Sequence, residues 1–578
     1  MDLTRPPCAR YLTASSQPAN KALRTTGETD AVWTHSLPYA AYPDFFGRLS
    51  PPKDDDDVAV IEADVCVVGA GMAGVSAAYE LVHRGHDVVL VEARDVAAGE
   101  TGRSSGHLTC VLDGGGMLDD GRKHEGARAA ALVESRAWAV RRVGEVAGTL
   151  GIDCEYRRLP AYVVSQYARG EEGYEGEVEG LKEEVRKARA LMGLEAAYWD
   201  DGLAVRGWDG AAVDQRGAAV FGGQAAFHPT KYVVGLLGWL RRQSNFRCYT
   251  GARVTSIEES DGEVLGGMSH KTVQVSTLDG PIVRCGYAVE ATAVPLQNLS
   301  IVAEMEYYRT YCIAIRVPKG LLEDCLLYDR ADAYKYVRLT PCDELEDYAV
   351  VGGCDHKVGQ EETEGRFQEL EQWFRERFTK AGAVDYSWSG QIWEPADHVG
   401  FIGKNPHQKR TFVVTGHSGD GLTHSVLAGR LIADEIDGKF NPWAKLYDPS
   451  RIVSAAKAVP DHMLADGVQS NVQYKRFPQS DINDIDDLGK GEGGVLDSKT
   501  SKPMAVYKDE KGQVRRFSAL CPRSSGVVCW NRTEKSWDCP VHGCRFSKEG
   551  ICLNGPATMG LSPEDGFSET LQQETVKA

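Results

Sequence analysis

The sequence lacks any apolar run long enough to cross a bilayer, and its N-terminus lacks the apolar stretch of a secretory signal. A membrane span needs roughly 20 consecutive apolar residues, so we expect a soluble protein with no such span. An excess of basic residues is also missing, because 65 Lys and Arg are outnumbered by 83 Asp and Glu and the net charge is −18. A nucleic acid would be repelled by this charge, and we therefore expect no nucleic-acid partner.

Cysteine is not gathered into a dense disulfide framework. The 15 Cys are spread over 578 residues, a pattern typical of reduced, buried thiols, and it favours a cytoplasmic location. Residues 3–27 contain several Lys and Arg and no acid, which keeps a mitochondrial transit peptide open as an alternative. Gly is frequent but shows no three-residue period, which excludes a collagen-like chain and indicates a globular one.

Changes in composition divide the chain into three parts. Residues 1–57 show no sustained period and end in a Pro-Pro-Lys sequence followed by four Asp, which indicates a leader segment. A folded body covers residues 58–465. A Gly-rich segment with short predicted strands covers residues 475–578 and is expected to form a separate domain.

The folded body begins with a dinucleotide-binding pattern. An apolar run at 64–68 leads into a turn in which Gly69, Gly71 and Gly74 have the spacing G-x-G-x-x-G, and a helical stretch and a second apolar run follow. Gly69 permits the tight turn, Gly71 lets the backbone approach a pyrophosphate, and Gly74 lets the helix pack on the strand. Glu92, at the end of the second strand, suits a ribose hydroxyl pair and would repel a 2′-phosphate. The pattern therefore predicts an adenine dinucleotide without that phosphate.

The segments after the second strand distinguish an FAD-binding site from an NAD-binding site. Residues 92–94 and 98–109 resemble the second flavin-contact motif of the D-amino-acid oxidase family of flavoproteins, and residues 401–403 and 411–423 resemble its third. The resemblance implies FAD and an α/β (α+β overall) fold, with a glutathione-reductase-type FAD-binding domain and an inserted β-rich substrate domain. The FAD-binding parts would be 58–150, 210–300 and 386–450. The substrate parts would be 151–209 and 301–385.

The resemblance also implies which residues hold a noncovalently bound FAD. They are Gly69, Gly71, Gly74, Glu92, Ala93, Arg94, Thr101, Gly102, Arg103, Ser104, Ser105, Gly106, His107, Val254, Thr292, Gly416, Gly419, Asp420, Gly421, Leu422 and Thr423. The helix that starts near Thr423 is expected to direct its N-terminus at the flavin pyrimidine, where negative charge builds on reduction. Some relatives attach FAD covalently. Arg103 stands where the His of one such subgroup aligns, and His107 and Cys110 stay open as attachment points.

The chemistry implied by this family is oxidation of a C–H bond next to an amine nitrogen, with O2 or an unidentified electron acceptor as the final oxidant. The flavin supplies the redox chemistry and the protein orients a small-molecule substrate, so no Ser/His/Asp set is expected. The candidate orienting groups are His107, His228, Tyr308, Arg309 and Tyr311. In a strand at 307–312, alternate side chains point to opposite faces, and we expect one face to look onto the flavin. A catalytically silent flavin-bearing scaffold protein is the alternative from another class.

The C-terminal segment resembles a small all-β Rieske domain of the sort fused to some members of this family. A Rieske centre holds one iron by two Cys and the other by two His, in C-x-H and C-x-x-H boxes. The matching positions are Cys521, Arg523, Cys539 and His542. Arg is protonated and offers no lone pair at neutral pH. We therefore predict that the domain keeps its fold, has lost its [2Fe-2S] cluster and holds no metal, with Arg523 in the vacated imidazole space and Cys521 next to Cys539.

Two other interpretations of this segment remain open. In the first, Cys544 or Cys529 replaces the missing ligand, and an atypical [2Fe-2S] cluster passes electrons from the flavin to a protein acceptor. In the second, Cys521, Cys539, His542 and Cys544 bind zinc. Gly526 and Val541 occupy positions where Rieske proteins of one subgroup carry a disulfide that supports the cluster.

Overall fold

A computed structural model of the chain describes residues 21–42, 60–111, 126–200, 217–260, 272–278, 280–297, 301, 305–361, 363–451, 481–496 and 502–564. Residues 1–20 and 43–57 of the predicted leader lie outside the described residues, as does the predicted boundary between 465 and 475. Within these described ranges, no helix combines the length and the apolar character needed to cross a membrane.

Helices and strands alternate along the chain up to residue 451. The helices are Lys21–Arg24 (α1), Trp33–Ser36 (α2), Met72–His83 (α3), Gly126–Leu150 (α4), Tyr174–Met192 (α5), Pro229–Leu240 (α6), Arg366–Arg377 (α7), Gly421–Ile436 (α8) and Ala444–Tyr447 (α9), with short 3-10 turns at Tyr39–Ala41 and Glu100–Arg103. The strands are Val60–Glu62 (β1), Val65–Val68 (β2), Val88–Val91 (β3), His107–Leu108 (β4), Arg157–Val164 (β5), Ala196–Trp199 (β6), Ala218–Ala226 (β7), Phe246–Tyr249 (β8), Val254–Glu259 (β9), Val273–Thr277 (β10), Ile282–Cys285 (β11), Tyr287–Ala293 (β12), Met305–Pro318 (β13), Leu326–Tyr328 (β14), Lys335–Pro341 (β15), Glu346–Lys357 (β16), Val384–Pro395 (β17), Phe401–Lys404 (β18) and Thr411–Thr415 (β19).

The first sheet carries the predicted dinucleotide unit. Its strand order is β18-β19-β12-β2-β3-β8, and all neighbours are parallel except β18 with β19. Strands β2 and β3 are apolar throughout because both faces of the sheet are covered. Val65 and Val67 pack among residues of α3, α6 and α8, whereas Cys66 and Val68 pack against a smaller sheet of order β1-β11-β10-β9.

The second sheet is larger and mostly antiparallel, with the order β17-β13-β16-β15-β14-β5-β7-β4, and β6 pairs with β7. This sheet also includes strands from segments that the sequence assigned to the FAD-binding part. Strand β7 pairs with β5, and β17 pairs with β13, so the segments 218–226 and 384–395 belong to this sheet and not to the parallel one. Both pairings join strands that are distant in the sequence, and local sequence patterns do not specify such pairings.

The C-terminal domain is all-β, as predicted. Its elements are a 3-10 turn at Ile485–Asp487 and the strands Glu492–Leu496 (β20), Met504–Lys508 (β21), Val514–Ser518 (β22), Cys529–Asn531 (β23), Ser536–Asp538 (β24), Arg545–Ser547 (β25) and Cys552–Asn554 (β26). They form a three-stranded and a four-stranded antiparallel sheet. The two sheets share one core, in which Trp537 and Phe546 are fully buried.

The described part of the predicted leader, residues 21–42, packs on the body. Trp33 is 1% exposed, and its Nε1 donates to the carbonyl of Ser104 at 2.7 Å. Arg94 in turn donates to the carbonyls of Ala22 and Thr25, both at 3.1 Å. This N-terminal segment therefore lies directly behind residues that the sequence assigns to FAD.

Candidate functional site

A cavity lies between the two large sheets and the C-terminal domain. Its lining comes from the ends of β2 and β12, from the loops after β3 and β19, from β13, β15 and β17, and from residues 553–557 of the C-terminal domain. The carboxyl ends of parallel strands meet here at one edge of the first sheet, which is where open α/β sheets bind their ligands.

The Gly-rich turn at one side of the cavity has the geometry that its sequence predicts. Gly69 has φ +106°, and a Cβ there would lie 2.4 Å from the carbonyl oxygen of Ala291. A Cβ on Gly74 would lie 1.8 Å from the carbonyl oxygen of Gly69, so α3 can approach the turn only with Gly at that position. The glycines thus allow the close approaches that a dinucleotide site of this type needs.

Two polar side chains hold this turn in place. Glu92 accepts hydrogen bonds from the backbone N–H groups of Ala70 and Arg94, each at 2.8 Å. The hydroxyl of Thr101 accepts from the N–H of Met72, the first residue of α3, at 2.9 Å. The start of α3 and the adjacent 3-10 turn are therefore connected directly.

Most of the residues assigned to FAD line this one cavity. The lining includes Gly69, Gly71, Glu92, Ala93, Arg94, Thr101, Arg103, Ser104, Ser105, Val254, Thr292, Gly419, Gly421 and Leu422. The assigned residues outside the lining are Gly74, Gly102, Gly106, His107, Gly416, Asp420 and Thr423. Their assignment to FAD stays a prediction, and Cys110, whose N–H donates to Gln224, also lies outside the lining.

The third motif forms a turn at the start of α8. Gly416 has φ +67°, and a Cβ there would lie 2.7 Å from Cγ of Pro395. Asp420 does not line the cavity because it pairs with Arg136 at 3.3 Å, with both side chains at most 2% exposed. The hydroxyl of Thr423 donates to the carbonyl of Thr109 at 3.3 Å. Gly421 and Leu422, at the helix start, do line the cavity.

The two candidate orienting histidines lie outside the cavity lining, and each has other partners. His228 caps α6 by accepting from the N–H of Lys231, and its other ring nitrogen lies 3.0 Å from the hydroxyl of Ser36. Burial lowers the pKa of His228 to about 3. His107 is enclosed by the rings of Tyr328 and Tyr336, and burial lowers its pKa as well.

The three candidates on β13 also have other partners. Arg309 pairs with Asp538 of the C-terminal domain, Tyr308 donates to Glu306, and the Tyr311 hydroxyl lies 2.9 Å from Nε2 of His356. None of the three lines the cavity, whereas Thr310, on the opposite face of the strand from Arg309, does. For Arg309 the physical reason is that its face of the strand is covered by the C-terminal domain. Tyr308 lies on the same face as Thr310, but its hydroxyl donates to Glu306.

Sequence reasoning missed several polar residues of the lining. Gln391 and Trp393 come from β17, and His417 and Ser418 come from the third motif. One polar side-chain atom of each is buried without a hydrogen-bond partner among the described residues: Oε1 of Gln391, Nε1 of Trp393, Nδ1 of His417 and Oγ of Ser418. Only the last two had a sequence signal, since they stand inside the quoted third motif. These four residues add polar side chains to the lining, and their atoms without a partner carry an uncompensated cost of burial.

The Rieske-like positions lie in the loops of the C-terminal domain. Cys521 and Cys539 are at most 1% exposed, and hydrogen bonds from the thiols of Cys539 and Cys544 lower the pKa of Cys521. Ser524 Oγ lies 3.4 Å from the sulfur of Cys539. Nδ1 of His542 is buried without a partner among the described residues. Two thiols and one imidazole of a Rieske ligand set are therefore present.

The fourth position does not fit a Rieske cluster. Arg523 is exposed, so the expectation that it fills the vacated imidazole space is wrong: its charge stays in solvent. Cys529 donates to the carbonyl of Gly359 at 3.4 Å and does not join the set. The alternative zinc set of Cys521, Cys539, His542 and Cys544 stays a prediction: the thiols of Cys539 and Cys544 both lie next to Cys521.

The positions of the disulfide in one Rieske subgroup are occupied by a tight apolar contact. A Cβ on Gly526 would lie 2.4 Å from Cγ2 of Val541. The two loops are thus as close as a disulfide requires, but they carry no sulfur at these positions. The loop frame persists although this support for a cluster is gone.

The parallel sheet, the Gly-rich turn and the helix start across the cavity define a flavin-binding class of fold. A family model for FAD dependent oxidoreductases, DAO, matches residues 64–435, and a Rieske [2Fe-2S] domain model matches residues 481–563. The first match covers more than half of the chain, so the chain belongs to the FAD dependent oxidoreductase family. It is an FAD-dependent oxidoreductase that carries a C-terminal Rieske-like domain.

Individual relatives agree with this assignment. A Bacillus subtilis protein, provisionally named Rieske 2Fe-2S iron-sulfur protein YhfW, is 25% identical over 523 residues, which cover 87% of this chain and 94% of the relative. Gamma-glutamylputrescine oxidoreductase of Escherichia coli is 26% identical over 411 residues, covering 67% and 87%. Glycine oxidase from Geobacillus kaustophilus has a similar fold, with a TM-score of 0.53 at 17% identity over 68% of this chain and 99% of that one.

Proposed function

We propose that this protein oxidises a small amine or an amino-acid-like compound with noncovalently bound FAD. The observation that carries the proposal is the single cavity that joins the Gly-rich turn to polar residues of β17 and of the third motif. A relative named gamma-glutamylputrescine oxidoreductase aligns over 67% of the chain and supports an amine nitrogen in the substrate.

The residues of the chain fit FAD in charge and in space. The turn at Gly69 and Gly71 leaves its backbone open to the cavity, and a Cβ on Gly71 would already lie 3.1 Å from the Thr101 hydroxyl. Glu92 keeps lone pairs free for ribose hydroxyls while it holds the turn. Bound FAD supplies the oxidising power by accepting a hydride from the carbon next to the substrate nitrogen.

The chain's own contribution is to orient the substrate and to keep its nitrogen unprotonated. Burial lowers the pKa of His417 to about 4, so its imidazole is neutral at pH 7. A neutral imidazole can accept a hydrogen bond from an amine, whereas an imidazolium cannot. Ser418 and Trp393 add a hydroxyl and an indole N–H to the same lining. These groups can bind a polar compound in the cavity.

The test is an anaerobic screen of amines and amino acids against the visible absorbance of the bound flavin. We expect at least one compound to bleach the flavin, and His417→Ala, loaded with FAD, to be reduced more slowly. Reoxidation by O2 or by added dyes then identifies the class of acceptor. If the whole set leaves the flavin oxidised, the protein is a flavin-bearing scaffold and the proposed reaction is wrong.

We also propose that the Rieske-like domain has lost its [2Fe-2S] cluster. The exposed Arg523 replaces one imidazole, and Gly526 and Val541 replace the supporting disulfide. The purified protein should contain no iron beyond trace amounts and show no Rieske-type electron paramagnetic resonance signal after reduction. Two iron atoms per chain with such a signal would favour the dehydrogenase alternative instead.

A further inference from the structure

Glu534 of the C-terminal domain reaches into the flavin part of the molecule. Its side chain is fully buried and forms an ion pair with Arg103, whose side chain is 1% exposed. The same carboxylate accepts from the N–H of Ser389 at 2.9 Å, from the Ser389 hydroxyl at 2.7 Å and from the N–H of Thr29 at 3.1 Å. Three distant segments of the chain therefore meet at this one carboxylate.

Glu534 carries a negative charge at this contact. Burial by itself would raise the pKa of Glu534, but Arg103 and Arg545 outweigh burial and hold this pKa below its usual range. Glu534 is thus a carboxylate at neutral pH, and it neutralises the buried guanidinium of Arg103, a residue of the cavity lining. Removing one partner of a buried pair leaves the other charge uncompensated.

The C-terminal domain makes a second buried contact with the same 3-10 turn, at Glu100. Nδ2 of Asn554 donates to Oε1 of Glu100 at 2.8 Å, and the other oxygen of Glu100 accepts from the N–H of Gln391 at 2.7 Å. Glu100 and Arg103 are the first and last residues of the 3-10 turn. The C-terminal domain therefore holds this turn at both ends.

The turn connects these contacts to the dinucleotide motif. Thr101, between Glu100 and Arg103, accepts from the first N–H of α3. This helix start is the place where the sequence predicts the FAD pyrophosphate. Leu553, Gly555 and Ala557 of the C-terminal domain also line the cavity itself. If the C-terminal domain only carried electrons and docked transiently, it would not need to contribute residues to the lining of the cofactor cavity.

We propose that the C-terminal domain is a permanent part of the FAD site, and that Glu534 and Asn554 are positioning residues for FAD, acting through Arg103 and Glu100. The domain then serves cofactor binding, whether or not it carries electrons. This inference rests on the proposed binding of FAD. It assigns a role to the domain that requires none of the Rieske ligands.

The experiment compares the full-length chain with two variants and one control. FAD is removed and titrated back, and the Kd for FAD and the reduction potential of the bound flavin are measured. We expect Glu534→Gln to raise the Kd about tenfold or more, since hydrogen bonds to charged groups are among the stronger ones. We also expect its reduction potential to rise, because a negative charge has been removed from a low-dielectric site.

Asn554→Ala gives a milder variant that removes no charge and stays decisive if Glu534→Gln does not fold. It should raise the Kd several-fold and leave the reduction potential unchanged. The control is Arg532→Ala, which removes an exposed pair with Glu364 between the same two domains. Arg532→Ala should leave the Kd for FAD and the reduction potential of the flavin equal to those of the parent chain.

The outcomes separate this inference from the proposed function. A parent chain that binds no FAD overturns the proposed function and this inference together. A parent that binds FAD, with Kd values in both variants equal to the parent's, overturns only the positioning role. A lower reduction potential in Glu534→Gln would also contradict the positioning role, because removing a negative charge near the flavin should raise the potential.

Discussion

Nη2 of Arg309 lies 2.9 Å from Oδ2 of Asp538, and both side chains are at most 4% exposed. Arg309 belongs to the long strand β13, and Asp538 belongs to β24 of the C-terminal domain. Asp538 also pairs with Arg545 at 3.2 Å, so one carboxylate serves two buried guanidinium groups. The interface between the two domains is therefore built on buried charge.

This arrangement predicts a large cost for neutralising Asp538. Asp538→Asn should lower the free energy of unfolding by about 3 kcal/mol, because it removes the carboxylate with which two buried guanidinium groups form their ion pairs. Urea unfolding followed by tryptophan fluorescence measures this. The matched control is Glu364→Gln, which removes an exposed ion pair at the same interface and should cost under about 1 kcal/mol. Equal unfolding midpoints for the two variants would contradict the prediction.

The Gly-rich turn gives a second prediction. Gly71→Val should abolish FAD binding, because the side chain would occupy the space that the pyrophosphate needs beside Thr101. Flavin content after purification is the measurement. Gly148→Val, in α4 at a position with open space around a Cβ, controls for the substitution itself and should keep the flavin. Full flavin in Gly71→Val would place the dinucleotide elsewhere.

The helix start at Gly421 gives a third prediction. Gly421→Asp should lower the reduction potential of the flavin or expel the cofactor, because it adds negative charge to a lining that meets developing negative charge. Spectroelectrochemical titration measures the potential. Gly421→Asn has nearly the same shape without the charge and should change the potential less. An unchanged potential in the Asp variant with FAD bound would show that this turn is not beside the flavin ring.

Buried Glu290 predicts how stability depends on pH. Burial raises its pKa from 4.5 to about 7, while the N–H of Leu296 donates to it at 2.8 Å. Below about pH 4.5 the carboxyl is protonated in both folded and unfolded states, so the folded state bears no penalty. As the pH rises towards 7, the unfolded chain releases the proton first, and stability falls by about 3 kcal/mol.

Glu290→Gln should remove this dependence. The difference in unfolding free energy between the variant and the parent should grow in favour of the variant from about pH 4.5 to about pH 7 and then level off. Glu258→Gln, at an exposed position on β9, is the control and should show no such trend. A difference that stays constant over this pH range would show that Glu290 ionises at its ordinary pKa.

The sequence predicted the parts of the site that depend on local conformation. The glycines at 69, 71 and 74 and the third motif at 416–423 each specify a turn, and these turns face one cavity. The residues that long-range pairing brings together could not be predicted in this way. Arg309 reads as a flavin-facing side chain until the C-terminal domain is placed on its face of β13, and Gln391 has no motif around it.

The same limit applies to Arg103. Its motif gave its place near the flavin, but its principal partner, Glu534, is 431 residues further along the chain. Arg523 shows another limit, since the sequence identifies the residue and its charge but not its position. A charged side chain on a loop can turn into solvent, where its charge costs least, and this is where the structure places it.

The meeting of Thr29, Arg103, Ser389 and Glu534 also has a consequence for biosynthesis. The first three residues leave the ribosome before the fourth, and domains generally fold from the N-terminal end during synthesis. Until residue 534 has been made, Arg103 has no carboxylate from the C-terminal domain to neutralise it. This buried pair is therefore completed only after residue 534 has been made, and a chain without the C-terminal domain would leave the Arg103 guanidinium without the Glu534 carboxylate.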